Sequence, residues 1–355
     1  MNKNKVILGL SGGVDSAAAA LVLRNRGFEV TGLYFDISKH NKEGIEAARK
    51  AAHDAGIGFV TVNVHEMFSE IVIENFCREY IRGRTPNPCI ICNPAIKFKA
   101  LTDFADSEGA QYIATGHYAK TVYSEEFKSW FIQQSRNARK DQSYMLYRLS
   151  QNVISRLIMP LEDFESKNDV REFAQAEGLF NASKKDSQEI CFIDDNSGYI
   201  EFIRSKGYNP VEGNYVDMQG NVLGRHEGIA NYTVGQRKGL GIALGKPAYV
   251  ISIDDSNNSV VLGDSGDLFR SRVYIGNCFF PMTGNGQMPD MLRGLRVMCK
   301  IRYAAKPAAA VIERAYDDMV CVSFDEPQRA PAPGQSLVIY SDGMVIGGGF
   351  IELSE

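Results

Sequence analysis

The chain has 355 residues, 44% hydrophobic and 23% charged; at roughly 100 to 200 residues per domain this allows two or three domains and excludes a small disulfide-stapled scaffold. Lysine plus arginine number 39 against 43 for aspartate plus glutamate, a net charge of -4, which taken alone speaks against a nucleic-acid partner. No run approaches the ~18 apolar residues of a membrane span, and the apolar stretch at 6–10 stops at Ser11-Gly12-Gly13, too short for a signal peptide. A cytoplasmic protein that does not enter the membrane is expected, and nothing suggests more than a monomer. The seven cysteines, an odd number in a long chain, point to thiol chemistry or metal binding rather than a disulfide framework.

Along the first 115 residues short β-branched runs alternate with amphipathic ones. Residues 5–10 read as a buried strand, 16–26 as a helix closed by Gly27, and 28–34 as a second strand. A helix at 43–55 stopped by Gly56, a strand at 58–64, a helix at 67–82 and a strand at 111–115 follow. This alternation predicts βαβ units and a mostly parallel sheet covered on both faces, an α/β domain. Ser166-x-x-Asp169 is a capping box that opens a further helix ending at Gly178. After about residue 210 the texture changes to short apolar pieces at 248–253, 260–262, 297–301, 319–324 and 336–339, separated by Gly, Asp, Asn and Pro. These predict small β domains with boundaries near 200–210 and 268–275, and barrels as the architecture. No tandem repeat is present.

Gly9-Leu10-Ser11-Gly12-Gly13-Val14-Asp15-Ser16 follows the first strand and opens the first helix. Paired glycines admit an anion close to the backbone, serine hydroxyls add donors, and the helix start favours negative charge. It is neither a Walker A loop nor a dinucleotide fingerprint. Ser11 to Ser16 resembles the PP-loop of the ATP pyrophosphatase superfamily, which implies ATP, with magnesium bridging Asp15 and the phosphates.

Thr85-Pro86-Asn87-Pro88-Cys89-Ile90-Ile91-Cys92-Asn93 carries a Cys-x-x-Cys pair behind two prolines that prevent a helix before the pair and suit a positioned loop. Alone the pair is open among zinc, redox and cluster sites. Cys191 closes the polar run Lys184-Lys185-Asp186-Ser187-Gln188-Glu189-Ile190, where two lysines favour a thiolate. Cys77, Cys278, Cys299 and Cys321 read as small buried hydrophobes.

With these three segments in this order, the chain resembles the tRNA-specific 2-thiouridylases. The likeness continues through Ala114-Thr115-Gly116-His117-Tyr118-Ala119, Lys140-Asp141-Gln142-Ser143-Tyr144, Leu223-Gly224-Arg225-His226-Glu227-Gly228 and Tyr232-Thr233-Val234-Gly235-Gln236-Arg237-Lys238-Gly239-Leu240-Gly241. It ends with Ile301-Arg302-Tyr303, Phe324-Asp325-Glu326-Pro327-Gln328-Arg329-Ala330 and Pro333-Gly334-Gln335, nearly spanning the chain. The resemblance implies a PP-loop parallel-sheet domain at 1–200, a small central domain at 201–270 and a β-barrel at 271–355 that contributes to tRNA binding.

The implied reaction adenylates the 2-carbonyl oxygen of a wobble uridine and replaces that oxygen with sulfur, giving 2-thiouridine, AMP and pyrophosphate. Cys191 would carry a persulfide supplied by a sulfur-donor protein, and Cys92 would act as nucleophile and form a transient disulfide with it. Gly9, Leu10, Ser11, Gly12, Gly13, Val14, Asp15, Ser16, Phe35 and Gly116 match nucleotide-contacting positions. Asn87, Pro88 and Cys89 match the segment facing the target base. Lys140, Asp141, Gln142, Arg302 and Tyr303 match tRNA-contacting segments, and His117 and Gln335 match single tRNA contacts.

The chain departs from the pattern at Cys89, where many relatives carry an aspartate proposed as a general base, so the base is unassigned. A second reading has Cys89, Cys92 and Cys191 ligating an iron-sulfur cluster with one iron open, one thiolate fewer than full ligation; the persulfide route is favoured over it. The segment after Tyr34 is shorter than in many relatives, and the plainer reading of Phe35 is the end of a core strand. Two readings from other classes, a PP-loop ligase using an amine and a noncatalytic RNA-binding protein, leave respectively the thiols and the phosphate loop unexplained.

Basic residues gather in three stretches. Lys128, Arg136, Arg139, Lys140 and Arg148 face only Asp141; Arg293, Arg296, Lys300, Arg302, Lys306 and Arg314 face only Glu313; Arg237, Lys238 and Lys246 meet no acid. They suit phosphate contacts, with Tyr144 or Tyr303 stacking on a splayed base.

Overall fold

The computed structural model describes residues 1–38, 41–179, 190–193, 198–283, 287–313 and 319–355; the polar run at 184–189 and Arg314 lie outside them. In chain order the elements are β1 (Asn2–Gly9), α1 (Val14–Asn25), β2 (Glu29–Asp36), α2 (Lys42–Ala55), β3 (Gly58–Asn63), α3 (His65–Phe68), α4 (Glu74–Ile81), α5 (Pro88–Cys92), α6 (Phe98–Ser107), β4 (Ala110–Thr115), β5 (Lys120–Ser124), β6 (Ser129–Gln133), α7 (Gln151–Ile154), β7 (Leu157–Ile158), α8 (Lys167–Ala176) and α9 (Gly198–Ser205). The strands β8 (Gly213–Val216), β9 (Val222–His226), β10 (Tyr249–Asp254), β11 (Ser259–Gly263), β12 (Phe269–Phe279), β13 (Arg296–Lys300), β14 (Ala308–Ile312), β15 (Val320–Arg329), β16 (Ser336–Ser341) and β17 (Met344–Ser354) complete it. The chain forms two compact units, one from the described residues of Met1–Val72, Cys89–Gln188 and Asp342–Ile346, the other from those of Ile73–Pro88, Glu189–Ser341 and Gly347–Glu355.

The first unit is built on a five-stranded sheet in the order β3-β2-β1-β4-β7, and its pairs are parallel. The apolar run of β1 is buried from Val6 to Leu8 because both faces of a parallel sheet are covered. Helix α1 runs through four consecutive alanines, Ala17 to Ala20, each essentially inaccessible. Alanine is the strongest helix former, and its small side chain lets a helix sit close to a sheet on all sides. Leu21 and Leu23 of the same helix are fully buried, each stabilising the core by roughly 1.5–3 kcal/mol. At the C-terminal end of α2, Gly56 takes the left-handed conformation at φ 64° that the sequence stop signal requires. The Ser166 capping box forms as expected, with Asp169 N donating to Ser166 Oγ and Ser166 N to Asp169 Oδ2.

Two features differ from the sequence expectation. The helix read at 67–82 is α3 and α4 joined by a π-helical turn, Ser69–Ile73. The Cys-x-x-Cys pair lies on a helix rather than a loop: Pro88 takes the first helical position, where a missing N–H costs nothing, and α5 runs through a π turn, Asn93–Lys97, into α6. The antiparallel hairpin β5–β6 carried no signal strong enough to be read.

In the second unit β10-β11-β8-β9 make a four-stranded sheet, and β12-β15-β14-β13-β16-β17 close into a six-stranded barrel because β17 also pairs with β12. Closure removes the sheet edges that an open β domain must protect. Val273, Ile275, Ile312, Val322 and Leu337 are fully buried in it.

Candidate active site

The phosphate loop is held by its own hydroxyls. Ser16 Oγ donates to Gly13 O at 3.0 Å and accepts from Ser11 N at 3.2 Å. Gly12 has φ +78°, and a Cβ there would stand 2.7 Å from Ala48 N of α2, so both conformation and space demand glycine. Gly13 precedes α1 in extended conformation with no side-chain cap, leaving an anion-binding helix start. The remaining residues expected to contact nucleotide gather around this loop. A Cβ on Gly116 would lie 3.0 Å from Asp15 C and Ser16 N, and the Phe35 ring lies 3.4 Å from the corresponding point on Gly9. Phe35 is therefore both the end of a strand and a wall of the loop.

Asp15 organises the polar side of the loop. Its Oδ1 accepts from Tyr118 Oη at 2.7 Å and its Oδ2 from Lys167 Nζ at 3.0 Å. Lys167 is only 10% exposed, and a buried ammonium needs such a partner. Sequence reasoning missed both partners. The signal for Lys167 was its place directly after the Ser166 cap, and Tyr118 stood inside a quoted motif without a role.

Gln142 brackets Tyr118: its N donates to Tyr118 O at 2.8 Å and its Oε1 accepts from Tyr118 N at 3.0 Å. Asp141 is buried and accepts from Ser135 N, Ser143 N and Ser143 Oγ at 3.0, 3.3 and 2.9 Å. Its carboxylate is consumed in shaping the turn, while Lys140 beside it is half-exposed. Tyr144 is fully buried, which corrects the expectation that it stacks on a base. Tyr303 is half-exposed, with Lys300 Nζ 5.5 Å from its ring centre. Arg302 donates from Nη1 to Arg329 O at 3.1 Å. His117 Nδ1 lies 2.9 Å from Thr115 Oγ1, and its ring stacks on Phe98. Burial, with Lys97 adding to it, lowers the His117 pKa to about 3, so at neutral pH it is a neutral hydrogen-bonding group.

Cys89 is exposed and Cys92, one helical turn on, is 4% exposed; the next residue, Asn93, is tied down by Nδ2 donating to Met145 O at 2.9 Å. In the second unit Cys191 is exposed. Cys77 and Cys299 are buried and burial raises both thiols, Cys77 to about 11, which agrees with their reading as inert packing groups. Among the described residues no three His, Cys, Asp or Glu side chains stand together as a metal-holding group, and no helix is long and apolar enough to cross a membrane. The third basic stretch, with Arg237 and Lys246, lines a depression of about 440 Å³, where Lys246 pairs with Asp264 at 3.0 Å.

A parallel sheet whose first strand runs through a Ser-Gly-Gly loop into a buried helix, followed by a small β domain and a closed barrel, defines a PP-loop protein with two appended β domains. Family models agree piece by piece: one described as a tRNA methyl transferase HUP domain matches residues 4–195, a tRNA methyl transferase PRC-barrel domain matches 201–264, and an aminomethyltransferase beta-barrel domain matches 287–351. The tRNA-specific 2-thiouridylase MnmA of Acetivibrio thermocellus is 44% identical over 366 residues, covering 99% of this chain and all of the relative. That of Clostridioides difficile is 44% identical over 366 residues, covering 100% and 99%. The chain belongs to the tRNA-specific 2-thiouridylase family.

Proposed function

We propose that this protein is a tRNA-uridine 2-sulfurtransferase that uses ATP to activate the wobble uridine and a cysteine persulfide to thiolate it. The observation that carries the reading is the Asp15 phosphate loop in a chain similar end to end to curated 2-thiouridylases, with Cys92 and Cys191 at the thiol positions. A uridine 2-carbonyl oxygen is a poor leaving group until it becomes an adenylate ester; attack on the ATP α-phosphorus makes that ester and expels pyrophosphate. Gly9 to Ser16, Phe35 and Gly116 hold the nucleotide. Asp15 fits the one carboxylate that Mg²⁺ commonly takes beside phosphate oxygens, and the ion would supply charge neutralisation on the leaving pyrophosphate.

In the sulfur step the Cys92 thiolate attacks Sγ of the Cys191 persulfide. The S–S bond breaks, a Cys92–Cys191 disulfide forms, and hydrosulfide leaves with the electron pair. It adds to C2 as AMP departs with the C2–O electrons and the sulfur proton is lost; two equivalents of an external thiol then reduce the disulfide, leaving as their own disulfide. Cys89 stands where many relatives carry aspartate and lies beside Asn87 and Pro88 in the segment assigned to the base. Asn87 and Pro88 face the base, and Lys140, Gln142, His117, Arg302 and Tyr303 serve the tRNA, Asp141 acting through the turn it holds. The domains divide at 1–200, 201–270 and 271–355, and the protein works in the cytoplasm as a monomer with tRNA and a persulfide donor as partners.

The test is incubation with ATP, tRNA and a persulfide donor, assayed for 2-thiouridine and pyrophosphate. Cys92→Ser and Cys191→Ser should abolish 2-thiouridine while pyrophosphate release in the first turnover persists. Thiolation surviving in either variant refutes the assigned thiols, and a visible cluster absorption needed for activity after anaerobic reconstitution would replace the persulfide route with the cluster.

A further inference from the structure

The segment from Arg84 to Pro88 has a task for which neither composition nor the family resemblance provides. It lies in the second unit, together with the barrel. Thr85 is held on both sides of its backbone by the turn before β16: Thr85 N donates to Pro333 O at 2.8 Å, and Gln335 Nε2 donates to Thr85 O at 2.8 Å. Its hydroxyl donates to Thr233 Oγ1 at 3.2 Å. Gly334, at φ +87°, comes so close that a Cβ would stand 2.9 Å from Thr85 N and 3.0 Å from Arg84 Cβ.

One residue earlier, Arg84 spends its fork on the same barrel. Nη1 and Nη2 donate to the two carboxylate oxygens of Glu352 at 2.7 and 3.1 Å, and Nε donates to Glu79 at 2.7 Å. These side chains are 22%, 33% and 20% exposed. A bidentate, partly buried guanidinium–carboxylate pair fixes direction as well as distance. A surface loop that merely joined α4 to α5 would need none of this. Two and three residues beyond Thr85 stand Asn87 and Pro88, the residues assigned to the target base.

We propose that Arg84 and Gln335 are positioning residues through which the barrel sets the base-facing segment Asn87–Pro88, so that Gln335 acts on the reaction by holding Thr85 rather than by gripping RNA. The inference rests on the sulfurtransferase reading above. It makes the barrel part of the catalytic apparatus as well as an RNA-binding module, because displacement of the segment by even 1 Å is enough to slow attack on a bound base.

The experiment is single-turnover pyrophosphate release by the full-length protein saturated with ATP and tRNA, comparing the parent with Gln335→Ala, Arg84→Met and Arg84→Lys, alongside tRNA Kd. Gln335→Ala and Arg84→Met should lower the rate constant about tenfold or more while the amplitude and the tRNA Kd hold, and Arg84→Lys should recover part of the loss. A lower amplitude at an unchanged rate constant would mean only that fewer molecules fold, and would overturn the proposal. So would a weakened tRNA Kd with the rate constant at saturation intact, which would make Gln335 a direct RNA contact. Gln335→Ala removes one neutral hydrogen bond and keeps the test available if Arg84→Met does not fold. Failure of the parent protein to form 2-thiouridine would instead overturn the function, leaving the two outcomes distinct.

Discussion

Replacing Lys167 by methionine keeps the length of the side chain and deletes its charge. Lys167 Nζ stands 3.0 Å from Asp15 Oδ2 with 10% of the side chain exposed, against 29% for Asp15. At that distance and an effective dielectric of about 20 the gross attraction is about 5 kcal/mol, and desolvation of both groups offsets much of it. What remains is of the order of a hydrogen bond between charged groups, about 1.5–3 kcal/mol. Without Lys167 the Asp15 carboxylate keeps Tyr118 Oη but its second oxygen loses the cation that held it beside the loop. If the triphosphate is held at this loop as proposed, loss of the cation should raise the ATP KM by about 10- to 100-fold where the full difference is felt in binding. Pyrophosphate release titrated with ATP at saturating tRNA measures this, and a double-mutant cycle with Asp15→Asn measures the pair. A folded Lys167→Met protein with the parental ATP KM, or additive single effects in the cycle, would refute the reasoning.

Three further outcomes follow from the same geometry. Gly12→Ala must adopt φ +78° and place a methyl 2.7 Å from the α2 backbone; it should cost upward of about 2 kcal/mol in urea unfolding and abolish nucleotide binding, and a stable variant that binds ATP would show that the loop tolerates a side chain. His117 has its folded pKa lowered to about 3 from an ordinary 6.5. Between those values the unfolded chain binds a proton that the folded chain refuses, so its contribution is complete above pH 6.5 and is lost as pH falls, at up to about 1.4 kcal/mol per pH unit; His117→Asn should flatten stability against pH between 6.5 and 4, and identical slopes in parent and variant would contradict the burial argument. Lys140→Ala and Arg302→Ala should each weaken tRNA binding and lower the slope of log K against log salt by roughly 0.7–0.9 with ATP binding retained, whereas an unchanged slope would move the RNA elsewhere.

What was legible in the sequence was what is local. The phosphate loop could be read because strand, glycines and helix start are adjacent in the chain, and Gly12 and Gly116 then appear where close backbone approach requires them. The Ser166 cap and the Gly56 stop were readable for the same reason. Lys167 meets Asp15 across 152 positions and Arg84 meets Glu352 across 268; such pairings leave no periodicity to detect. Tyr144 misled because an aromatic residue in a basic stretch looks like a stacking platform, whereas the 3₁₀ turn Ser143–Leu146 buries it completely. The prolines before Cys89 misled differently: proline disfavours a helix at the preceding residue but is well suited to begin one, and Pro88 does so.

The overall charge of -4 gave the least guidance, and the structure explains why. Charges that serve architecture are paired at short range: Arg84 with Glu79 and Glu352, Arg156 with Asp106, Lys167 with Asp15. A sum over the chain weighs these equally with every other cation, although a cation already matched by a carboxylate contributes little to the field around the protein. The cysteines divide on the same logic. A thiol count cannot separate Cys299, completely enclosed by the barrel, from exposed Cys89 and Cys191, yet thiolate formation depends on that difference. Cys92 belongs to neither group, being buried on a helix whose neighbouring thiol is open to solvent. A thiol so placed is shielded from adventitious oxidants and other solvent-borne reagents. Alkylation of Cys92 should therefore be slow beside that of Cys89 in the resting protein.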